Sequence, residues 1–441
     1  MKLVEQHIIS ENHTFFKECD RLCFLGKNLY NQALFQIRQH FFETGKYLSY
    51  VQLQKLLQNT HQQDYVVLPR KVSQAILRKV DEVFSSFFNG NKSYQKNPKK
   101  FKAKPKIPNY KDKVNGRFVV IYNAQAISRK TIKSGLLNPS QTEIYLSTKL
   151  AYATICEVRI IPKNQEYVIE IVYEKQALKP KKDNKRYAAI DIGLDNLATV
   201  TFNTENVPCI FNGKPLKAMN AFFNKKRAEL MSYIGGKGKS NRLTKLINKR
   251  NKKVKDYLHK ASRQLVNQLV ENDISILVIG KNDGLKQDIN LGRKNNQNFV
   301  SIPHTSFVEM LQYKCELVGI KVKIIEESYT SKCSFLDNES IKKHEKYQGR
   351  RIKRGLFKTS KGILINADVN ASLNIMKKGI PKAFTNGIQA GVERCCSSSI
   401  EGNTSRTQKS KNSVLSSMIS INRYVFDNYW LFTSPTTLGE K

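Results

Sequence analysis

The stretch Arg186–Val200, RYAAIDIGLDNLATV, decides the fold. Tyr187, Ala188, Ala189 and Ile190 form the short apolar run of a strand buried on both faces. Asp191 closes that run, and a carboxylate in an apolar strand is costly unless it is paired or holds a metal. Gly193 permits a tight turn, after which Leu197, Ala198, Thr199, Val200 and Phe202 begin a returning strand. A lone D-x-G can be no more than a hairpin turn. The alternative makes Asp191 a metal ligand, and the residues on either side of the stretch decide between the two.

Charge is the first of these. The chain has 441 residues, enough for about two or three domains with real cores. Lys and Arg number 75 against 36 Asp and Glu, a net of +39. Such an excess strains a compact body by self-repulsion unless a polyanion neutralises it, so nucleic acid is the leading partner. An anionic membrane surface is the competitor. No apolar run approaches the ~18 residues of a spanning helix, and the opening MKLVEQHIISENH lacks the apolar core of a signal peptide. No membrane partner is expected, and the expected location is the cytoplasm of a prokaryotic cell, in association with the nucleoid. The eight cysteines are scattered without a C-x-x-C and read as reduced thiols.

Before the decisive stretch, Leu3–Ile9 alternates as one strand, and Phe15 to Phe88 is helical in period. The basic connection that follows interleaves Lys100, Lys102, Lys104 and Lys106 with Tyr94, Phe101 and Tyr110, a pattern suited to phosphate contact and base stacking. The runs RFVVIYNA, TEIYLS, EVRIIPK and EYVIEIVYE read as short strands. After Val200 come two basic helices, Leu216–Ile234 and Asn241–Asn272. The second carries Lys249, Arg250, Lys252, Lys253 and Lys255, and reads as a nucleic-acid-facing surface. Further strands are Ile274–Ile279 and Val322–Ile325, with a helix from Thr305 to Leu317 between them and a Gln/Asn-rich stretch, DINLGRKNNQNFVSIP, before it. Strands alternating with helices indicate an α/β core. A basic loop containing Arg350, Arg351, Lys353 and Arg354 precedes ILINADVNASLNI, where Asp368 opens a helix.

Three acidic positions stand out: Asp191, the pair Glu326/Glu327, and Asp368. The first two follow buried strands. Hard cations such as Mg²⁺ take oxygen ligands, and two of them ~4 Å apart can activate water and stabilise the leaving oxygen of a phosphodiester.

The segments KPKIPNYK, AAIDIGLDNLATV, KRNKKVKDYLHKAS, QYKCELVGIKV, EESYTSKCSFLD and INADVNASLNI together resemble the transposon-encoded OrfB/TnpB proteins, relatives of type V CRISPR nucleases. The resemblance spans roughly Lys104 to Met376. It implies a multidomain α+β chain: a WED/OB-like small β-barrel from 1–13 and 115–176, a helical lobe with its basic connection at 14–114 inserted in it, a linker at 177–185, and an RNase H-like (RuvC) α/β nuclease domain at 186–378. Within that last domain it places the basic helices at 216–272 and a degenerate zinc-finger region at 330–364, with a tail at 379–441. It further implies a guide RNA from the element end and double-stranded target DNA cut next to a short target-adjacent motif, with pairing reading the sequence. Mg²⁺ (or Mn²⁺) is the implied cofactor, held by Asp191 and Asp368 as the first and last catalytic acids.

Two departures matter. Family members usually place a catalytic Glu on the strand that is ILVIGKN here, where Gly280 stands. Glu327, three residues before Thr330, is the expected replacement, with Glu326 as its substitute; strand alternation sends the two side chains to opposite faces, so only one can join Asp191 and Asp368. The four-Cys zinc motif is reduced to Cys333, with His344 the other plausible ligand, so no structural zinc is expected. The competing readings are an RNA-guided DNA binder that has lost cleavage, and a guide-independent RuvC-like nuclease.

Overall fold

The computed structural model describes residues 1–238, 240–281 and 302–385. The Gln/Asn-rich stretch up to Ser301 and the tail beyond Thr385 lie outside the described residues.

The first half is built on a four-stranded antiparallel sheet. Its strands are β1 (Lys2–Ile9), β2 (Val120–Asn123), β5 (Ile155–Lys163) and β6 (Glu166–Glu174), in the order β1-β6-β5-β2. Strands β3 (Leu136–Leu137) and β4 (Leu146–Ser147) pair only with each other. The small barrel expected here is thus an open sheet and a separate ribbon among the described residues. Strands of two and four residues are too short to carry a hydrogen-bonded ladder around a ring.

Between β1 and β2 lie the helices α1 (Phe16–Thr44), α2 (Tyr50–Asn59), α3 (Gln63–Val66) and α4 (Arg70–Lys96); the short α5 (Arg129–Lys133) follows β2. The helical period read across Phe15–Phe88 is broken at Gly45, which ends α1 in the left-handed conformation at φ 69°. Leu22, Cys23, Leu29, Ala33 and Ile37 of α1 and Val72, Ile76, Val80 and Phe84 of α4 share one core with Val158, Ile160, Ile169 and Ile171 of the sheet. Asp20 ties α1 to the sheet and to the segment before β2. It takes two hydrogen bonds from Arg117, at 2.8 and 2.9 Å, and one from Tyr167 on β6 at 2.5 Å.

The second half is organised on β7 (Tyr187–Asp191), β8 (Asn196–Phe202), β9 (Cys209–Asn212), β10 (Ile276–Lys281) and β11 (Lys321–Glu326). The sheet order is β11-β10-β7-β8-β9, parallel across β11, β10 and β7 and antiparallel across β7, β8 and β9. Ala188 and Ile190 pack with Leu258, Leu265 and Val266 of α7 (Asn241–Glu271) and with Phe307 and Leu311 of α8 (His304–Leu317). Tyr187 and Ala189 point the other way, onto Ile375 and Met376 of α9 (Ala367–Gly379). The strand is therefore buried on both faces, as its unbroken apolar run demands. By the same alternation Asp191 shares the side of Ala189 and faces α9. The remaining helix, α6 (Lys214–Ser232), packs against α7; its Arg250-binding residue, Asn220, is buried.

The second half meets the first through α7. Asn248 donates to the Asn164 carbonyl at 2.9 Å, Lys252 pairs with Glu166 at 2.7 Å, and Lys255 bonds Gln6.

Candidate active site

Asp191 is the last residue of β7. One residue back, Ile190 pairs with Ile279 of β10, so the next position on β10, Gly280, stands beside Asp191. Gly280 has no side chain to offer, and the space is filled. A Cβ built there would lie 2.5 Å from Ile375 Cδ1 and 3.2 Å from Glu327 Oε2. Glu327, just past the end of β11, thus reaches the site that a side chain on β10 would otherwise occupy. Glu326 turns away, accepting from Ser328 Oγ at 2.5 Å and pairing with Lys378 at 3.0 Å. Those partners hold its carboxyl below the usual range.

Asp368 comes from the first turn of α9. Asn366 caps that helix, its side chain accepting from the backbone N–H groups of Asp368 and Val369 at 2.9 and 3.2 Å. Asn196 Nδ2, at the start of β8, donates to Asp368 Oδ2 at 2.7 Å, and Arg351 Nη2 lies 3.3 Å from Asp368 Oδ1.

Asp191 feels the other two carboxylates. Burial first, then the charges of Asp368 and Glu327, push Asp191 up to about 8 against the opposing pull of Arg351. Glu327 is also raised, by burial and by Glu326. Among the described residues no hydrogen-bond donor reaches the Asp191 carboxylate. No three His, Cys, Asp or Glu groups among them stand in metal-holding geometry. The donor set nevertheless fits a hard divalent cation. It is all carboxylate oxygen, and the half-buried Asp191 stands beside two like charges with no hydrogen-bond donor among the described residues.

The residues Arg350–Lys353 form strand β12, exposed along its whole length, which pairs with β13 (Leu356–Lys358); β14 (Leu364–Asn366) completes this small sheet and leads into Asp368. The hairpin brings Arg351 to Asp368, and Arg354 to Asp195, which also binds Lys217. Lys353 and Arg350 are exposed.

Of the α7 cations, Lys249 and Lys253 face solvent, while Lys252 and Lys255 are engaged with the first half. Arg250 is turned inward onto α6, donating to Asn220 at 2.8 Å beside the Phe223 ring. The basic face of α7 is therefore narrower than its sequence suggests, because α6 and the first sheet cover part of it. Lys100, Lys102, Lys104 and Lys106 are all exposed.

Four supporting residues escaped the sequence reading. Besides Asn196, three fully buried polar side chains of α9 knit the site: Asn370 bonds Phe335 N and Cys333 O, Ser372 bonds Ala189 O and Thr201, and Asn374 bonds Thr330 O and Cys333 O. The signal was the i, i+4 spacing of Asn370 and Asn374 within an apolar helix, which places two amides on one face.

Residues 170–285 match the family model OrfB_IS605, described as a probable transposase, and residues 304–375 match the Cas12f1-like TNB domain. The chain is 25% identical over 407 residues to the TnpB-like protein ORF457 of Acidianus two-tailed virus, covering 82% of this chain and 83% of that protein. It is 27% identical over 233 residues to the CRISPR-associated endodeoxyribonuclease Cas12f2 of a Micrarchaeota archaeon (strain CG1_02_47_40), covering 49% of this chain and 40% of the relative. Among solved structures it is similar in fold to Cas12f1 in its complex with sgRNA and target DNA, with a TM-score of 0.51 and 15% identity over 81% of this chain and 82% of that one.

Proposed function

The chain is a relative of the OrfB/TnpB proteins, and from that kinship we propose that it is an RNA-guided, divalent-metal-dependent DNA endonuclease. The observation that carries this reading is the Glu327 carboxylate standing where Gly280 has no side chain, beside Asp191 and on the same side of the sheet as Asp368. A nuclease that had merely lost its β10 glutamate would have no reason to fill the vacated space with another one. The mixed sheet with helices on both faces supports an RNase H-like arrangement for 186–378.

In this reading Asp191, Glu327 and Asp368 hold Mg²⁺ (or Mn²⁺). The cation, when bound, supplies an activated water and stabilises the leaving oxygen of the phosphodiester. The chain's own residues prepare the site. Asn196 and the Asn366 cap fix the Asp368 carboxylate in direction. Ser372, bonded to the Ala189 carbonyl at 3.0 Å, holds α9 against β7 so that Asp368 and Asp191 keep their spacing. Arg350, Arg351, Lys353 and Arg354 offer phosphate contacts at the mouth, and Lys249, Lys253 and the exposed lysines from 100 to 106 extend the cationic surface along which guide RNA and target DNA run. Sequence is read by base pairing and a short target-adjacent motif by the protein.

The test is plasmid cleavage in Mg²⁺ by protein coexpressed with RNA from its own locus, beside Asp191→Ala and Glu327→Ala. Cutting by the parent and loss in both variants, with RNA binding intact, is expected. Target binding without cutting by the parent would make the chain a guided binder. Cutting that needs no RNA would make it a guide-independent nuclease.

A further inference from the structure

The segment Thr330–Leu364 contains one cysteine and one histidine, too few for the four-ligand zinc site implied by the family resemblance. Those two are already engaged. Cys333 Sγ donates to the Ser340 and Lys342 carbonyls at 3.4 and 3.7 Å, and His344 Nε2 lies 2.8 Å from the Ser340 carbonyl. The donors do not fit a structural zinc, yet the segment is tightly tied. Glu339 is 4% exposed, the depth at which a carboxylate must be fully partnered. One of its oxygens takes the Ser334 N–H at 2.7 Å and the other takes the Gln348 N–H at 3.0 Å. The two amides belong to opposite ends of the loop, fourteen positions apart in the chain. Lys377 of α9 reaches the Glu339 carbonyl at 3.3 Å and Asn338 at 2.6 Å, so the clasp is fastened to the nuclease helix as well.

We propose that the buried Glu339 carboxylate is the crosslink of this segment, doing by two backbone hydrogen bonds what a metal ion does in a zinc knuckle, and that the segment holds its shape without zinc. Charge-assisted bonds from main-chain N–H groups are the strong kind, and bridging Ser334 to Gln348 closes the loop as a metal would. The clasp ends immediately before Gly349, whose α-carbon packs under Phe357: a Cβ there would lie 2.4 Å from the Phe357 ring. Beyond it begins β12 with Arg350 and Arg351. Glu339 thus fixes the point from which the cationic hairpin starts. None of this depends on whether the chain cuts DNA.

The experiment combines zinc analysis with hydrogen-exchange mass spectrometry on the full-length protein, grown with added zinc. In the parent, zinc well below one per chain is expected, and EDTA with 1,10-phenanthroline should change neither the melting temperature nor the protection of peptides spanning 331–349. In Glu339→Ala, exchange of the peptides holding Ser334 and Gln348 should rise by about tenfold or more, as the loss of the acceptor for one buried and one part-buried amide requires. Glu339→Gln, which keeps one acceptor oxygen, should fall between the two. One zinc per chain whose removal deprotects the loop would overturn the proposal. So would unchanged protection in Glu339→Ala. If Glu339→Ala does not fold, the chelation arm and Glu339→Gln still decide.

Discussion

Glu327 Oε2 lies 3.2 Å from the point at which a Cβ on Gly280 would stand. Gly280 lies on β10 and Glu327 just past the end of the neighbouring β11, whose register pairs Gly280 with Ile325, so Glu327 is two positions beyond Gly280's own partner and folds back over it. Removing that carboxylate is expected to abolish cleavage, while Glu326, held by Ser328 and Lys378 on the other side, is dispensable. Glu327→Gln should lose more than about 100-fold in cleavage rate, beyond the range typical of groups that only support a ligand. Glu326→Gln should cut near the parent rate. Plasmid cleavage time courses in Mg²⁺ compare them, and equal losses in both variants would reject the assignment.

The same relationship predicts that the family's usual glutamate cannot simply be put back. Any side chain at 280 meets Ile375 Cδ1 at 2.5 Å before it reaches Glu327. Gly280→Ala is expected to destabilise by about 1–3 kcal/mol through overpacking, and Gly280→Glu by more, because it also adds a fourth carboxylate to the cluster. Neither should raise cleavage. Denaturant melts of both variants measure the first expectation. A Gly280→Glu protein that is stable and faster would show that Glu327 is only a weak substitute.

The decisive strand, the paired acids and the α/β alternation were all legible because each leaves a local mark: an unbroken apolar run, a carboxylate at its end, a helix start at Asp368. Strand alternation separates Glu327 from Glu326, and the structure sends the two side chains to different surroundings. What was not legible is what depends on distant contacts. The first sheet stays open because β2, β3 and β4 are too short, a length that hydrophobic runs do not report. Arg250 looks like a phosphate contact in sequence and lies against α6 in space. Asn196 and Asp368 are separated by most of the second half and meet only when α9 docks on β7. The Glu339 clasp leaves no motif at all, since its partners are backbone groups.

Acid should loosen the junction of the first half. Arg117 above all, and then Tyr167, hold the Asp20 carboxyl below its ordinary value in spite of partial burial. A carboxylate whose pKa is lower folded than unfolded gives stability that is present above the unfolded value, near 3.9, and is lost as pH falls through the folded one. Asp20→Asn is therefore expected to cost on the order of 1 kcal/mol at pH 7, a charge-assisted hydrogen-bond contribution reduced by solvent access. The deficit should shrink toward zero below pH 3. Melting curves of parent and variant from pH 7 to pH 2.5 test this, and a deficit independent of pH would mean that packing, not charge, is lost.

Arg351 should compete with the metal. Its guanidinium lies 3.3 Å from Asp368 Oδ1, and its charge opposes the upward shift of Asp191, so it partly neutralises the cluster. A cation entering the site must share Asp368 with it or displace it. The side chain is half exposed, and such pairs are worth about 0.2–1 kcal/mol, which corresponds to a change in affinity of about 1.4-fold to fivefold. Without nucleic acid, Arg351→Gln is expected to bind Mn²⁺ tighter by that factor, measured by electron paramagnetic resonance titration. Lys353, on the same exposed strand, has no carboxylate partner among the described residues, and Lys353→Gln should leave Mn²⁺ binding unchanged. With nucleic acid present the order should reverse for DNA affinity, because phosphate takes over the guanidinium that Asp368 gives up. Weaker Mn²⁺ binding in Arg351→Gln would mean that the arginine helps build the metal site instead of competing for it.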